Sequence, residues 1–154
     1  MKHSLRHTLL AVGALVILLG HPAAAQADVK PKNASEAAAI GLLDMIFNQK
    51  KAEEAFAKYG GRYYRQHNPA APDGKEALIA LLKGLPPEVT IHYEFKRVLS
   101  DGDMVVVHSL VTNSPTDRGS AVIDMFRLEH GKVVEHWDVV QPIPEKSANK
   151  NTMF

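Results

Sequence analysis

A single acidic residue interrupts an otherwise apolar stretch in the second half of the chain. Over residues 121–129 the side chains alternate, and Asp124 falls in line with Val122, Phe126 and Leu128. A carboxylate buried without a partner is costly, so it either finds a partner or takes a raised pKa. A raised pKa suits a general base that abstracts a proton from carbon. A solvent-facing or salt-bridged Asp124 would have no such role, and the pattern leaves both alternatives open.

Two histidines could supply the second group that proton abstraction needs. His108 lies on the face of a valine-rich strand that also carries Met104, Val106 and Leu110. It could donate a hydrogen bond to a developing enolate oxygen, or it could be a core histidine satisfied by a backbone carbonyl. His67 precedes an Asn-Pro loop signal, so it contributes only if its segment lines the mouth of a cavity.

Polar and aromatic side chains near these positions are candidates for holding a ligand. In the last strand His136 and Asp138 share one face and Trp137 lies on the other, and period two does not say which face looks inward. An exposed cross-strand pair is the alternative for His136 and Asp138. Phe126 and Trp137 could wall a cavity around a flat molecule. The predicted ligand-binding residues are Tyr64, Gln66, Phe126, His136, Trp137 and Asp138.

The composition argues against a metal centre. The chain has no cysteine, so it forms neither disulfides nor zinc sites built on thiolates. His67, His108 and His136 lack the short spacing that is typical of metal-binding histidines. We therefore predict no metal.

The elements that must position these residues fall into two groups along the chain. Helical spacing predicts three helices, the first capped by Ser35, the second over residues 52–59 and the third after a capping box of Asp73 and Glu76. Period-two alternation from Val89 onwards predicts strands joined by turns. This order predicts an α+β fold in which the three N-terminal helices cover a curved antiparallel sheet of about four to six strands around a pocket.

The first residues have the layout of a secretory signal peptide. Lys2 and Arg6 precede an uncharged apolar run at 9–19, and small residues follow. A membrane anchor is the alternative, but that run is shorter than the ~20 residues a spanning helix needs. We predict cleavage after Ala27, a flexible lead-in at 28–34, a domain at 35–154, and a periplasmic or secreted protein with no membrane partner after cleavage.

Loss of this leader changes the charge of the chain. It takes away two basic residues and no acidic one, so the formal net charge of +1 becomes −1. The mature chain has no basic stripe, and we predict no nucleic-acid partner.

Four stretches of the sequence resemble a known family. They are residues 64–69, residues 73–78, residues 124–138 and the tail at 142–154. Together they resemble the SnoaL-like polyketide cyclase branch of the nuclear-transport-factor-2-like superfamily, and within it the SnoaL-like aldol-condensation-type proteins. The resemblance implies a cone-shaped domain, a homodimer, and cofactor-free proton abstraction next to a carbonyl followed by aldol ring closure. It also implies Asp124 as the catalytic aspartate and His108 as its histidine.

The resulting hypothesis assigns a role to each candidate. Asp124 is the general base, and His108 or His67 donates to the enolate oxygen of a small apolar or aromatic carbonyl compound. The superfamily also contains isomerases and hydrolases, so the fold alone does not fix the reaction. The competing hypothesis is a non-catalytic periplasmic module that binds a small ligand in the same cavity.

Overall fold

The computed structural model describes residues 29–154, and the predicted leader at 1–27 lies outside them. In chain order the elements are α1 (Ala34–Leu43), a π-helical turn (Asp44–Asn48), α2 (Ala52–Tyr59), β1 (Gly60–Gln66), α3 (Lys75–Lys83), β2 (His92–Asp101), β3 (Met104–Thr112), β4 (Ser120–Glu129) and β5 (Lys132–Pro142). The predicted three helices are present, and the α+β fold class is confirmed. Among the described residues, no helix combines the length and the apolar character needed to cross a membrane.

The caps of two helices differ from those predicted. Asn33, not Ser35, caps α1, because its side chain accepts a hydrogen bond from the backbone N–H of Glu36 at 2.9 Å. The predicted capping box at α3 is wrong, since Gly74 is the N-cap with a φ of 88° and no side chain caps the helix. Asp73 instead accepts a hydrogen bond from the backbone N–H of Gln66 at 2.8 Å. This bond ties the start of α3 to the end of β1.

The five strands form one curved, unclosed sheet in the order β1-β5-β4-β3-β2. Strands β2 to β5 pair in an antiparallel series, as predicted. The segment that becomes β1 gave no clear period, and it pairs in parallel with β5. The sheet is therefore mixed, which corrects the prediction of a purely antiparallel one. The parallel pairing sets the carboxyl end of β1 beside the middle of β5.

The two faces of the sheet have different environments. Burial alternates strictly along β3, where Val105 and Val107 are buried and the residues between them are partly exposed. The buried side is the inner face, which α1 covers with Leu42 and Leu43. The other side is the outer face, where Leu99 and Val139 are each 61 % exposed. A side chain of the sheet can reach an enclosed cavity only from the inner face.

Candidate active site

A cavity of about 100 Å³ lies between the inner face of the sheet and the helices. Its walls combine apolar side chains from α1, the π-helical turn and α3 with polar side chains from β1, β4 and β5. The lining residues are Leu42, Leu43, Ile46, Phe47, Tyr64, Gln66, Asn68, Ala71, Leu78, Tyr93, Asp124, Phe126, His136 and Asp138. The volume suits a small molecule or one end of a larger one.

Asp124 is the most deeply buried acid of the cavity. Its register on β4 opposite Val107 turns it to the inner face, and only 1 % of the residue is exposed. One carboxylate oxygen, Oδ1, lies 3.1 Å from Nε2 of His136. The other, Oδ2, has no hydrogen-bond partner among the described residues. Burial raises the pKa of Asp124, and the hydrogen bond with His136 opposes this rise.

His136 connects Asp124 to the end of β1. Its Nδ1 lies 2.8 Å from the side-chain oxygen of Gln66, and the same oxygen accepts the backbone N–H of Asn68 at 2.9 Å. The imidazole ring packs against Phe126, with 4.9 Å between ring centroids, and it is parallel to the ring of Tyr64 at 6.3 Å. Both ring nitrogens of His136 therefore have a partner, and the aromatic neighbours fix the plane of the ring.

A second carboxylate shares the cavity. Asp138 lies directly opposite Asp124 in the register of β4 and β5, and its Oδ2 accepts a hydrogen bond from the side chain of Asn68 at 2.6 Å. None of the cavity-lining residues is a lysine or an arginine. The cavity thus brings two carboxyl groups together, and His136 is its one lining side chain with basic ring nitrogens.

Two tyrosines supply neutral hydroxyl groups. Burial, followed by the negative charges of Asp124 and Asp138, raises the pKa of Tyr64 far above its ordinary value. The same causes, in the same order, raise the pKa of Tyr93. Both phenols therefore stay protonated over the working range of pH and can donate to an oxyanion.

Three donor atoms in the cavity are close enough to surround a single small cation. One atom each from Asp124, His136 and Asp138 lies within 4.8 Å of the other two. These are the residues that could hold a metal ion. The histidine set considered from the sequence is not brought together, because His67 and His108 do not line the cavity.

Two of the predicted catalytic residues lie on the outer face. His108 pairs with Ile123, one position away from the pairing of Val107 with Asp124, so its side chain points to the opposite side of the sheet. There it faces Arg97 at 3.1 Å and packs against the ring of Phe154. Burial, followed by the charges of Arg97 and Lys96, lowers its pKa. The expected convergence of His108 with Asp124 does not occur.

His67 and Trp137 lie on the outer face as well. The two rings stack with a centroid distance of 4.5 Å and an angle of 4° between their planes. Nε2 of His67 lies 3.0 Å from Glu135, whose hydrogen bonds with His67 and then Arg127 lower its pKa to about 2. His67, expected as a donor, and Trp137, expected as a cavity wall, do not line the cavity.

Two of the sequence stretches that carried the resemblance, 64–69 and 124–138, meet side by side in the fold. Gln66 contacts His136, Asn68 contacts Asp138, and both pairs lie on the inner face. Between them His67 contacts Glu135 on the outer face. Adjacent parallel strands present side chains with the same alternation, so Gln66 and Asn68 share the face of His136 and Asp138.

The other predicted ligand-binding residues Tyr64, Gln66, Phe126, His136 and Asp138 all line the cavity. Sequence reasoning missed Asn68 and Tyr93. Asn68 had one available signal, since it follows Gln66 by two residues and therefore shares its face. Tyr93 follows the exposed His92 directly, so strand alternation indicated that Tyr93 is buried. Alternation gave no sign that Tyr93 lies in the same cavity as Asp124.

Comparison with known proteins gives one family and a group of similar folds. The profile of the SnoaL-like domain family matches residues 42–136, more than half of the chain. No curated protein sequence is detectably similar.

Among solved structures, a proposed polyketide cyclase from Bacillus cereus is 23 % identical, covers 70 % of this chain and 74 % of its own, and gives a TM-score of 0.58. A proposed ketosteroid isomerase from Kribbella flavida is 18 % identical, with 75 % and 84 % covered and a TM-score of 0.60. A LEH-like epoxide hydrolase from M. tuberculosis is 18 % identical, with 70 % and 83 % covered and a TM-score of 0.56. At these identities the likeness shows the fold.

Proposed function

The chain belongs to the SnoaL-like domain family, and on that premise we propose that it is a cofactor-independent acid–base enzyme acting on a small apolar or aromatic carbonyl compound. One observation carries the proposal: Asp124 lines the cavity, and one oxygen of its buried carboxylate has no hydrogen-bond partner among the described residues. Leaving a buried acceptor without a donor costs free energy, so a fold that keeps one has a use for it. A C–H group next to a carbonyl is what such an oxygen can deprotonate.

The chemistry follows from the groups that surround this oxygen. Oδ2 of Asp124 takes the proton, the C–H electron pair moves into the enolate, and the phenols of Tyr64 and Tyr93 donate to the enolate oxygen. In an isomerisation Asp124 returns the proton at another carbon. In an aldol closure the enolate carbon attacks a second carbonyl, a carbon–carbon bond forms, and Asp124 returns the proton to the new alkoxide.

A raised pKa makes Asp124 better at this task than an exposed aspartate. Free aspartic acid has a pKa of about 3.9, far below that of a carbon acid. Burial raises the pKa of Asp124, which reduces the unfavourable gap in the proton transfer. The hydrogen bond with His136 opposes the rise, so the carboxylate form remains accessible.

Hydrogen exchange tests the proposal without knowledge of the natural substrate. Wild-type protein in D₂O is expected to accelerate deuterium incorporation next to the carbonyl of cyclopentanone, acetophenone or 1,3-cyclohexanedione, followed by proton NMR. Asp124→Asn keeps the shape, removes the base, and should lower the accelerated rate about 10²–10⁴-fold. Asp103→Asn is the matched control, because Asp103 is exposed and distant from the cavity lining. An Asp124→Asn variant that exchanges as fast as wild type overturns the proposal.

A ligand-binding module without turnover is the second candidate. It is favoured by one observation, namely that neither of the two histidines first expected beside Asp124 lines the cavity. Asp124 and His136 would then orient a bound carbonyl or hydroxyl group. Saturable binding of the same compounds with no exchange in wild-type protein would select this function over catalysis.

We also propose export and self-association. The leader at 1–27 supports export, and intact mass measurement of the protein from a periplasmic or culture fraction should give a chain that begins at Asp28. The exposed apolar side chains of the outer face, including Leu99 and Val139, support a homodimer.

A further inference from the structure

The orientation of the Gln66 amide follows from its neighbours. A backbone N–H can only donate, so the group of Gln66 that lies 2.9 Å from the nitrogen of Asn68 is the amide oxygen. The same oxygen lies 2.8 Å from Nδ1 of His136. An oxygen without a hydrogen can only accept, so Nδ1 of His136 carries a proton.

The number of protons shared between Nε2 of His136 and Oδ1 of Asp124 then follows. With Nδ1 protonated, a neutral His136 presents a lone pair at Nε2, and an ionised Asp124 also presents only lone pairs. These two atoms lie 3.1 Å apart, which is a hydrogen-bond distance. One proton must lie between them. The pair is either an imidazolium with a carboxylate or a neutral imidazole with a carboxylic acid.

The groups around the pair act on both of its members. The cavity lining contains no lysine or arginine, and the other titratable groups that face the pair are Asp138 from β5, Tyr64 from β1 and Tyr93 from β2. Both tyrosines stay neutral, and a negative charge on Asp138 stabilises an imidazolium but also raises the pKa of Asp124. Burial raises the pKa of Asp124 in spite of the hydrogen bond with His136, and because that bond uses Oδ1, Oδ2 is left free to act as the base.

We propose that Gln66 is a positioning residue that fixes the Nδ1–H tautomer of His136 and thereby makes His136 the proton-sharing partner of Asp124. This inference rests on the proposed function only for its effect on rate. Asn68 completes the arrangement, because its backbone N–H orients the Gln66 amide while its side chain holds Asp138. When Asp124 takes a proton from a carbon acid, the C–H bond breaks, the Oδ2–H bond forms, and the imidazolium offsets the charge left on the enolate.

Nitrogen NMR of histidine-labelled protein tests the proton positions directly. In wild-type protein we expect Nδ1 of His136 to keep the chemical shift of a protonated ring nitrogen both at neutral pH and at alkaline pH. Gln66→Met removes the acceptor and should lower the population of the Nδ1–H tautomer at alkaline pH at least about twofold. The signals of His67 and His108 on the outer face serve as internal controls. Finding His136 in wild-type protein as the Nε2–H tautomer overturns the inference, even if no variant folds.

A pH profile of the exchange reaction separates positioning from a merely structural role. In Gln66→Met the rate should fall with little change in KM. The acidic limb of the pH–rate profile of this variant, which reports ionisation of Asp124, should move to higher pH because the stabilising imidazolium is less populated. Gln66→Glu restores an acceptor and should return the limb toward the wild-type position. An unmoved limb in Gln66→Met contradicts the inference, whereas failure of Asp124→Asn to reduce exchange contradicts only the proposed function.

Discussion

The imidazole of His136 and the carboxylate of Asp124 meet at 3.1 Å across neighbouring strands, inside a cavity whose lining has no basic side chain other than His136 itself. Both residues are buried. Their contact leaves Oδ2 of Asp124 as the one unpartnered oxygen of the pair. The proposed chemistry and most of the predictions below depend on this arrangement.

Histidines on the two faces of the sheet should respond differently to substitution. His136→Ala removes the partner of Asp124 and should lower the exchange rate at least about tenfold. His108→Ala and His67→Ala act on the outer face and should change that rate by less than about twofold. Rates measured with one carbonyl compound at saturating concentration make the comparison. Equal losses from His108→Ala and His136→Ala would contradict the placement of the site on the inner face.

Asp124 should make the protein less stable as the pH rises. Its pKa is raised in the folded state, so the folded chain binds more protons than the unfolded chain between about 3.9 and the raised value. Stability therefore falls with rising pH across that window. Asp124→Asn removes this loss, so its unfolding free energy relative to wild type should increase from pH 4 upwards, as measured by urea unfolding at several pH values. A difference that is flat or falls with pH would show that the carboxyl is not destabilised by burial.

Glu135 should act in the opposite sense on the outer face. Hydrogen bonds with His67 and Arg127 lower its pKa to about 2, so its stabilising contribution is present above the unfolded value of about 4.3. This contribution is lost as the pH falls through the folded value. Glu135→Gln should be less stable than wild type at neutral pH, and the gap should narrow toward pH 2. Thermal melts at neutral and acidic pH provide the measurement, with the exposed Glu145→Gln as control.

Metal removal should leave the protein unchanged. Asp124, His136 and Asp138 could surround a cation, but the proposed function uses the proton shared by Asp124 and His136 in its place. Dialysis against EDTA should alter neither the exchange rate nor the melting temperature, and elemental analysis should find no stoichiometric metal. A large rise in melting temperature on adding Zn²⁺, abolished by Asp138→Asn, would argue for a metal centre.

The outer face should mediate self-association if the homodimer forms. Leu99 and Val139 are each 61 % exposed on strands β2 and β5. Replacing both with lysine should convert a dimer into a monomer, which light scattering after size exclusion would detect, with little change in the exchange rate. Leu81→Lys is the matched control, because Leu81 is 42 % exposed on α3. A double variant that remains dimeric assigns the interface to another surface.

Local alternation was sufficient to place Asp124 in line with apolar side chains of one strand. This alignment left a buried and a solvent-facing carboxyl both open, and the structure buries the carboxyl of Asp124. Helical spacing likewise predicted the three helices. These features depend on the order of adjacent residues, because the two-residue period of a strand and the 3.6-residue period of a helix are properties of the backbone itself.

The relation between strands could be decided only by the tertiary structure. His108 lies outward because its pairing is offset by one position from that of Asp124, and a bulge between Arg127 and Leu128 sets the phase that turns His136 inward. The parallel pairing of β1 with β5 brings Gln66 to His136. Register, bulges and strand order arise from contacts between residues far apart in the chain, and a one-residue slip reverses every face. The sequence by itself therefore identified Asp124 as the candidate acid, and the assembled sheet identified His136 as its partner.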